Sequence, residues 1–135
     1  MHLFEWSLEK YALGLPGIDH QHGHLVKSIY DLYETMAETS DKSIIDPMLS
    51  ELIFISRQHF DDEERLMLDY HYPDIESHIG RHMTFNEALA NVVVHYHQGD
   101  ISVSLDNLKF LSHWYIEHIS TADHHYCDYI KKQSA

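Results

Sequence analysis

Helix breakers are scarce in this chain, and they stand where a helical protein needs its turns. The 135 residues hold only 5 glycines and 3 prolines. Gly14, Pro16 and Gly17 close an N-terminal arm, residues 1–17, that carries Trp6 and Tyr11. Asp19 then offers an N-cap for a first helix over about 19–38. After the polar break Thr39-Ser40-Asp41-Lys42-Ser43, a second helix starts at Ser43 or Asp46, with Pro47 tolerated in its first turn, and runs over about 43–68. Its apolar residues Leu49, Leu52, Ile53, Phe60 and Met67 recur at helical rather than alternating spacing. Pro73 pushes the residue before it out of helical geometry, so Tyr70-His71-Tyr72-Pro73 interrupts the pattern. Asp74 caps a third helix over about 74–98, and Gly99 stands in a helix-stop position. Ser102 or Ser104 opens a fourth over about 102–131, which carries Leu105, Leu108, Leu111, Tyr115, Ile119, Ala122 and Tyr126 to the lysine pair Lys131 and Lys132, favourable at a helix C-terminus. Four helices with short connections predict antiparallel neighbours. The expected fold is all-α: an up-down-up-down four-helix bundle with an N-terminal arm, one domain over 1–135.

Charge narrows the function. With 22 acidic against 9 basic residues and a formal net charge of −13, the chain repels phosphate backbones and anionic lipid, which excludes general nucleic-acid or membrane-surface binding. The N-terminus has no basic region followed by an apolar run, being interrupted by Glu5, Glu9 and Lys10, and no apolar stretch approaches the roughly 20 residues of a membrane helix. Cys127 is the single cysteine, so an internal disulfide framework is excluded, and a cytoplasmic, soluble protein is expected. Against this background the 14 histidines ask for a metal site or a titrating surface.

Position separates the histidines. Residues four apart share a helix face, which pairs His59 with Glu63 and His78 with His82. In an up-down-up-down bundle the starts of odd helices meet the ends of even ones. His22 lies near the start of the first helix and His59 and Glu63 near the end of the second. His78 and His82 stand near the start of the third, His118 and Asp123 toward the end of the fourth. Seven potential ligands therefore share one level. Within His20-Gln21-His22-Gly23-His24, the register of Leu25, Val26 and Ile29 turns His22 inward and leaves His20 and His24 to water. In Asp61-Asp62-Glu63-Glu64, an acidic face in other respects, only Glu63 is four from His59, with Asp62 its nearest rival at three. His118 and Asp123, five apart, stand about 140° around an ideal helix. They reach one centre only if the helix bulges or the two side chains approach from different sides.

These residues form motifs. Gly14-Leu15 followed by Ile18-Asp19-His20-Gln21-His22, then His59-Phe60-Asp61-Asp62-Glu63-Glu64, Tyr72-Pro73 with His78-Ile79-Gly80-Arg81-His82 and Phe85, and finally Trp114-Tyr115-Ile116-Glu117-His118-Ile119 with Asp123, resemble the four motifs of the hemerythrins, in particular the single-domain bacteriohemerythrins. The likeness spans essentially the whole chain in order. It implies a non-haem centre of two iron ions (Fe2+/Fe3+). His78, His82 and His118 would ligate one iron and His22 and His59 the other, with Glu63, Asp123 and an oxo or hydroxo group as bridges. One position stays open on the iron held by two histidines, where dioxygen would bind reversibly. Imidazole and carboxylate suit iron in either common oxidation state. The Glu-x-x-His pair of carboxylate-rich di-iron bundles, the His-Glu-x-x-His zinc motif and a nucleophile-elbow serine are all absent, so no enzyme activity is expected.

The resemblance leaves choices open. Tyr115, one turn before His118, stands where the family commonly has leucine, and either lines the oxygen pocket or sends its hydroxyl to the bundle surface. The nine remaining histidines, His2, His20, His24, His71, His95, His97, His113, His124 and His125, are expected mainly at the surface, with His113 and His125 as candidate partners of the ligands. Cys127 reads as a small buried filler, Trp6 and Trp114 as packing residues. The implied function is oxygen storage or delivery by a monomer or weak oligomer, with dioxygen as partner and an oxygen-consuming enzyme as candidate recipient. The alternative is a module that senses oxygen, nitric oxide or redox state and acts through a partner protein.

Overall fold

A computed structural model of the protein describes residues 11–134; Trp6, His2 and most of the expected arm lie outside them. The described residues form α1 (Pro16–Glu38), α2 (Lys42–Asp69), α3 (Ile75–His97) and α4 (Ile101–His118), the last continuing through a π-helical turn, Ile119–Asp123, into α5 (His124–Ser134). Each of the first four packs against two others, α1 on α2 and α4, α3 on α4 and α2. This is the expected four-helix bundle, with no strand among the described residues.

The helix ends follow local chemistry. Helix α1 begins at Pro16, three residues before the expected start, because proline suits the first turn. Asp19 therefore does not cap the helix. Its carboxylate is buried and accepts hydrogen bonds from the Leu13 and Gly14 backbone N–H groups, at 2.7 and 3.2 Å, tying the incoming chain to the helix that carries His22. Asp41 caps α2 through the Ser43 N–H at 3.0 Å, which leaves Pro47 inside the helix rather than at its start. Gly99 stops α3 with φ +79°, and the Gly99 and Asp100 N–H groups bond back to Tyr96 and His95. Those two bonds make a left-handed C-terminal cap. The end of α2 has the same pair of bonds, from His71 to Leu68 and from Tyr72 to Met67, but the left-handed residue is His71, φ +53°.

One core runs through the bundle. Leu25, Ile29, Leu32, Ile45, Leu52, Met67, Phe85, Leu108 and Leu111 are all fully buried, each contributing about 1.5–3 kcal/mol over an exposed position. Ser104, a candidate helix start by sequence, lies buried one turn into α4, its hydroxyl donating to the Val92 carbonyl of α3 at 2.8 Å. Asp100 caps α4 instead. No helix of the described residues is long and apolar enough to cross a membrane.

Candidate metal centre

Near one end of this core the bundle turns polar. His22 of α1, His59 and Glu63 of α2, His78 and His82 of α3, His118 at the end of α4 and Asp123 at the end of the π turn are all buried, at 0–3% exposure. They fall into two overlapping groups, Glu63, His78, His82, His118 and Asp123, and His22, His59, Glu63 and Asp123. Within each group the candidate ligand atoms lie within 4.8 Å of one another. Both carboxylates belong to both groups.

Each carboxylate lies between histidines of both groups. Asp123 Oδ1 lies 2.9 Å from His78 Nε2 and 3.0 Å from His118 Nε2, while its Oδ2 lies 3.0 Å from His22 Nε2. Glu63 Oε1 lies 3.1 Å from His59 Nε2 and 3.3 Å from His82 Nε2, and Oε2 lies 3.6 Å from His22. All five Nε2 atoms, Glu63 Oε1 and both Asp123 oxygens lack a hydrogen-bond partner among the described residues. Buried polar atoms left unpaired are costly. Bare imidazole nitrogens and carboxylate oxygens aimed at one another are the donor set a pair of cations would satisfy.

The π turn brings in Asp123. The His124 N–H reaches back to the Ile119 carbonyl, a five-residue step. That step widens the turn so that the side chain five residues after His118 returns to its face. Of the two routes spacing allowed, the bulge is the one this helix takes. Thr121 Oγ1 donates to the Glu117 carbonyl at 2.8 Å on the outer side of the same turn.

Electrostatics hold the cluster together. Burial alone would favour neutral His22, but Asp123 and Glu63 outweigh it and push the imidazole up to about 9. Burial likewise opposes ionisation of Asp123 and Glu63, yet the histidines around them keep both carboxyls well below the usual range. Without a cation, the two carboxylates favour the protonated forms of His22 and His82.

Aromatic rings form the walls. Phe60 stacks on His82 at 4.1 Å and Trp114 on His118 at 4.9 Å between ring centres. Tyr115 is fully buried, edge-on to His22 at 6.1 Å and His59 at 6.3 Å, and its hydroxyl has no partner among the described residues. Its hydroxyl therefore does not reach the bundle surface. Cys127 is buried, and burial pushes its thiol up.

Three partners of the cluster lie outside the sequence reading. The Tyr126 hydroxyl donates to Glu63 Oε2. Gln21 Oε1 sits 2.8 Å from His59 Nδ1, and Glu64 Oε2 sits 2.8 Å from His82 Nδ1. Each had a signal: Tyr126 stands three after Asp123, Gln21 precedes His22, and Glu64 follows Glu63. Asp62 and Glu64 are half-buried and bonded inward, so the acidic run is less of a solvated face than expected, with Asp61 alone fully exposed. His20, His24, His71, His97, His113, His124 and His125 are exposed and His95 is intermediate. His113 and His125 thus do not back the ligands.

Known proteins share the sequence pattern and the fold. The model of the Hemerythrin HHE cation binding domain matches residues 13–130. The chain is 30% identical to the myohemerythrin of Theromyzon tessulatum over 123 residues, 91% of this chain and 90% of that protein. To the bacteriohemerythrin of Methylococcus capsulatus it is 28% identical over 123 residues, 91% and 93% of the two chains. Among solved structures, wild-type hemerythrin superimposes with a TM-score of 0.83 at 26% identity, covering 95% of this chain and 98% of the other. A leucine-to-tyrosine variant of hemerythrin superimposes with a TM-score of 0.84 at 28% identity, covering 96% and 98%. A family match over nearly all the described residues, on the fold and around the buried cluster set out above, establishes that this chain belongs to the hemerythrin HHE cation-binding family.

Proposed function

We propose that the seven inward side chains hold two iron ions and that the protein binds dioxygen reversibly there, to store it or deliver it. His78, His82 and His118 serve one ion, His22 and His59 the other, and Glu63 and Asp123 serve both. The observation that carries this reading is the overlap of the two buried groups at both carboxylates. Two ions, once bound, supply the two electrons that dioxygen draws on.

The chain's own residues do the rest. Five imidazoles divided three and two leave the His22–His59 half one donor poorer, and Tyr115 stands edge-on to both of its rings while stacking on His118 of the other half at 6.4 Å. The unpartnered Tyr115 hydroxyl is then a donor for what binds there. Phe60 and Trp114 lock the His82 and His118 ring planes and keep water from the far half. Tyr126 occupies a Glu63 lone pair and orients that carboxylate. Binding and release, rather than turnover, is the proposed activity. The proposed compartment is the cytoplasm, which suits a chain whose one cysteine is a buried free thiol.

An anaerobic-to-aerobic optical titration with iron analysis tests the reading. Two irons per chain, a colourless reduced form and a visible band that vanishes when oxygen is removed are expected. A single bound zinc, or oxidation that never reverses, overturns it.

A further inference from the structure

His59 and His82 are backed, on the side away from the cluster, by groups of different charge. Behind His59 stands the neutral amide of Gln21, whose Nε2 donates to Asp62 Oδ2 at 2.9 Å. An ionised carboxylate only accepts, so the amide N–H2 faces Asp62 and the amide oxygen faces His59. His59 Nδ1 must therefore carry the proton, which leaves Nε2 bare toward the site. Behind His82 stands the carboxylate of Glu64, 2.8 Å from Nδ1. It selects the same tautomer with a negative charge. His22 Nδ1 and His118 Nδ1 are buried without a partner among the described residues.

The tautomer is common to both; the electron density is not. An anionic acceptor draws the Nδ1 proton more strongly than an amide oxygen does, and so makes the opposite nitrogen a stronger donor. A stronger donor favours the higher oxidation state of its metal. Phe60, stacked at 4.1 Å, covers the His82 ring, so the imidazole end of this pair is buried while the Glu64 side chain stays 28% exposed.

We propose that Glu64, acting through His82 as a positioning residue, adds a difference of charge to the difference in donor number between the two metal positions, so that the ion served by His78, His82 and His118 is the first to be oxidised. The inference rests on the two-iron reading above. Gln21 sets the other half by giving His59 the same orientation without the charge.

The test is one-electron oxidation of the reduced, iron-loaded protein by ferricyanide, in which one iron(II) becomes iron(III) and the electron passes to ferricyanide. Glu64→Gln keeps an acceptor for His82 and removes the charge, and Asp106→Asn removes the same charge from an exposed position twelve residues before His118, about 18 Å along the helix. Glu64→Gln is expected to shift the first step by about tenfold in the oxidised-to-reduced ratio, about 59 mV for a one-electron couple. Asp106→Asn should shift it by less than about a third of that, and Glu64→Asp should restore most of the wild-type value. In the metal-free protein, at a pH alkaline enough to neutralise the His82 ring, nitrogen-15 NMR should show the Nδ1–H tautomer in both the wild type and Glu64→Gln. A Glu64→Gln shift no larger than that of Asp106→Asn, a shift confined to the second step, or a tautomer that changes in Glu64→Gln overturns the proposal. Iron counts and the reversible oxygen band are read on the same samples. Two reversible irons with no asymmetry reject only this inference, whereas a wild type without two irons rejects the functional reading beneath it.

Discussion

Raising the pH of the metal-free protein should weaken its fold on the alkaline side of neutrality. Burial opposes the charged form of His22, but Asp123 at 3.0 Å and Glu63 at 3.6 Å prevail and raise it from 6.5 to about 9. A group that binds its proton more tightly folded than unfolded contributes stability that is complete below the unfolded value and is lost as pH rises through the folded one. At about 1.4 kcal/mol per pH unit, the interval from 6.5 to about 9 amounts to about 3 kcal/mol. His82 is displaced in the same direction: burial opposes its charge too, and Glu63 overrides it. Asp123 and Glu63 are displaced the other way; their contribution stands above the ordinary carboxylate range and is lost on acidification. Maximum stability should therefore fall between about pH 5 and pH 6.5. Urea unfolding of chelator-treated protein, followed by far-ultraviolet circular dichroism at pH 6 and pH 9.5, measures the effect. With a slope of about 1.5 kcal/mol per molar, the midpoint should drop by about 2 M. His22→Gln should flatten most of that dependence, and iron loading should remove it, because a ligating histidine is neutral and gives up its proton on binding. Midpoints equal at the two pH values, or higher at pH 9.5, would mean that His22 does not carry its proton into the fold.

Other perturbations separate the roles of individual residues. His78→Ala or His118→Ala should abolish stable binding of two irons while His20→Ala or His24→Ala leaves it intact; iron analysis after gel filtration decides, and equal loss in both pairs would reverse the inside-outside assignment. Tyr115→Leu should change oxygen release or autoxidation by at least about twofold in stopped-flow traces, and unchanged rates of both would remove the tyrosine from the pocket. Tyr126→Phe takes the hydroxyl from a buried carboxylate and should cost the metal-free protein about 2 kcal/mol, read as a lower urea midpoint. His71→Gly relieves a left-handed backbone at φ +53° and should stabilise by about 0.5–1 kcal/mol; a lower thermal midpoint would show that the His71 side chain contributes more than the strain it carries.

The helices were legible because their punctuation is local. Pro16, Pro73 and Gly99 act through backbone sterics that any neighbour can read, and the spacing of Leu49, Leu52, Phe60 and Met67 reports one buried face. The boundaries moved where a side chain had two uses. Asp19 was free to cap a helix or to bind the loop before it, and the Leu13 and Gly14 N–H groups claimed it. Ser104 and Asp46 had the polarity of helix starts, but Ser104 is buried against Val92 and Asp46 accepts from the Tyr96 hydroxyl at 2.7 Å. Those partners are 12 and 50 residues away in sequence, beyond what a local pattern carries.

Residue order alone specifies four amphipathic helices and the register that turns His22, His59, Glu63, His78, His82 and His118 to one level, because side-chain direction on a helix follows from residue number. Tertiary structure decided what number could not. The π turn returns Asp123 to the face of His118 against ideal periodicity, since the widened turn changes the angle per residue just where that carboxylate is needed. Contact between helices likewise chose Tyr126 for Glu63, Gln21 for His59 and Glu64 for His82. Each of these last pairs joins side chains from different helices, and a hydrogen bond of 2.8 Å between them exists only once the backbones are packed.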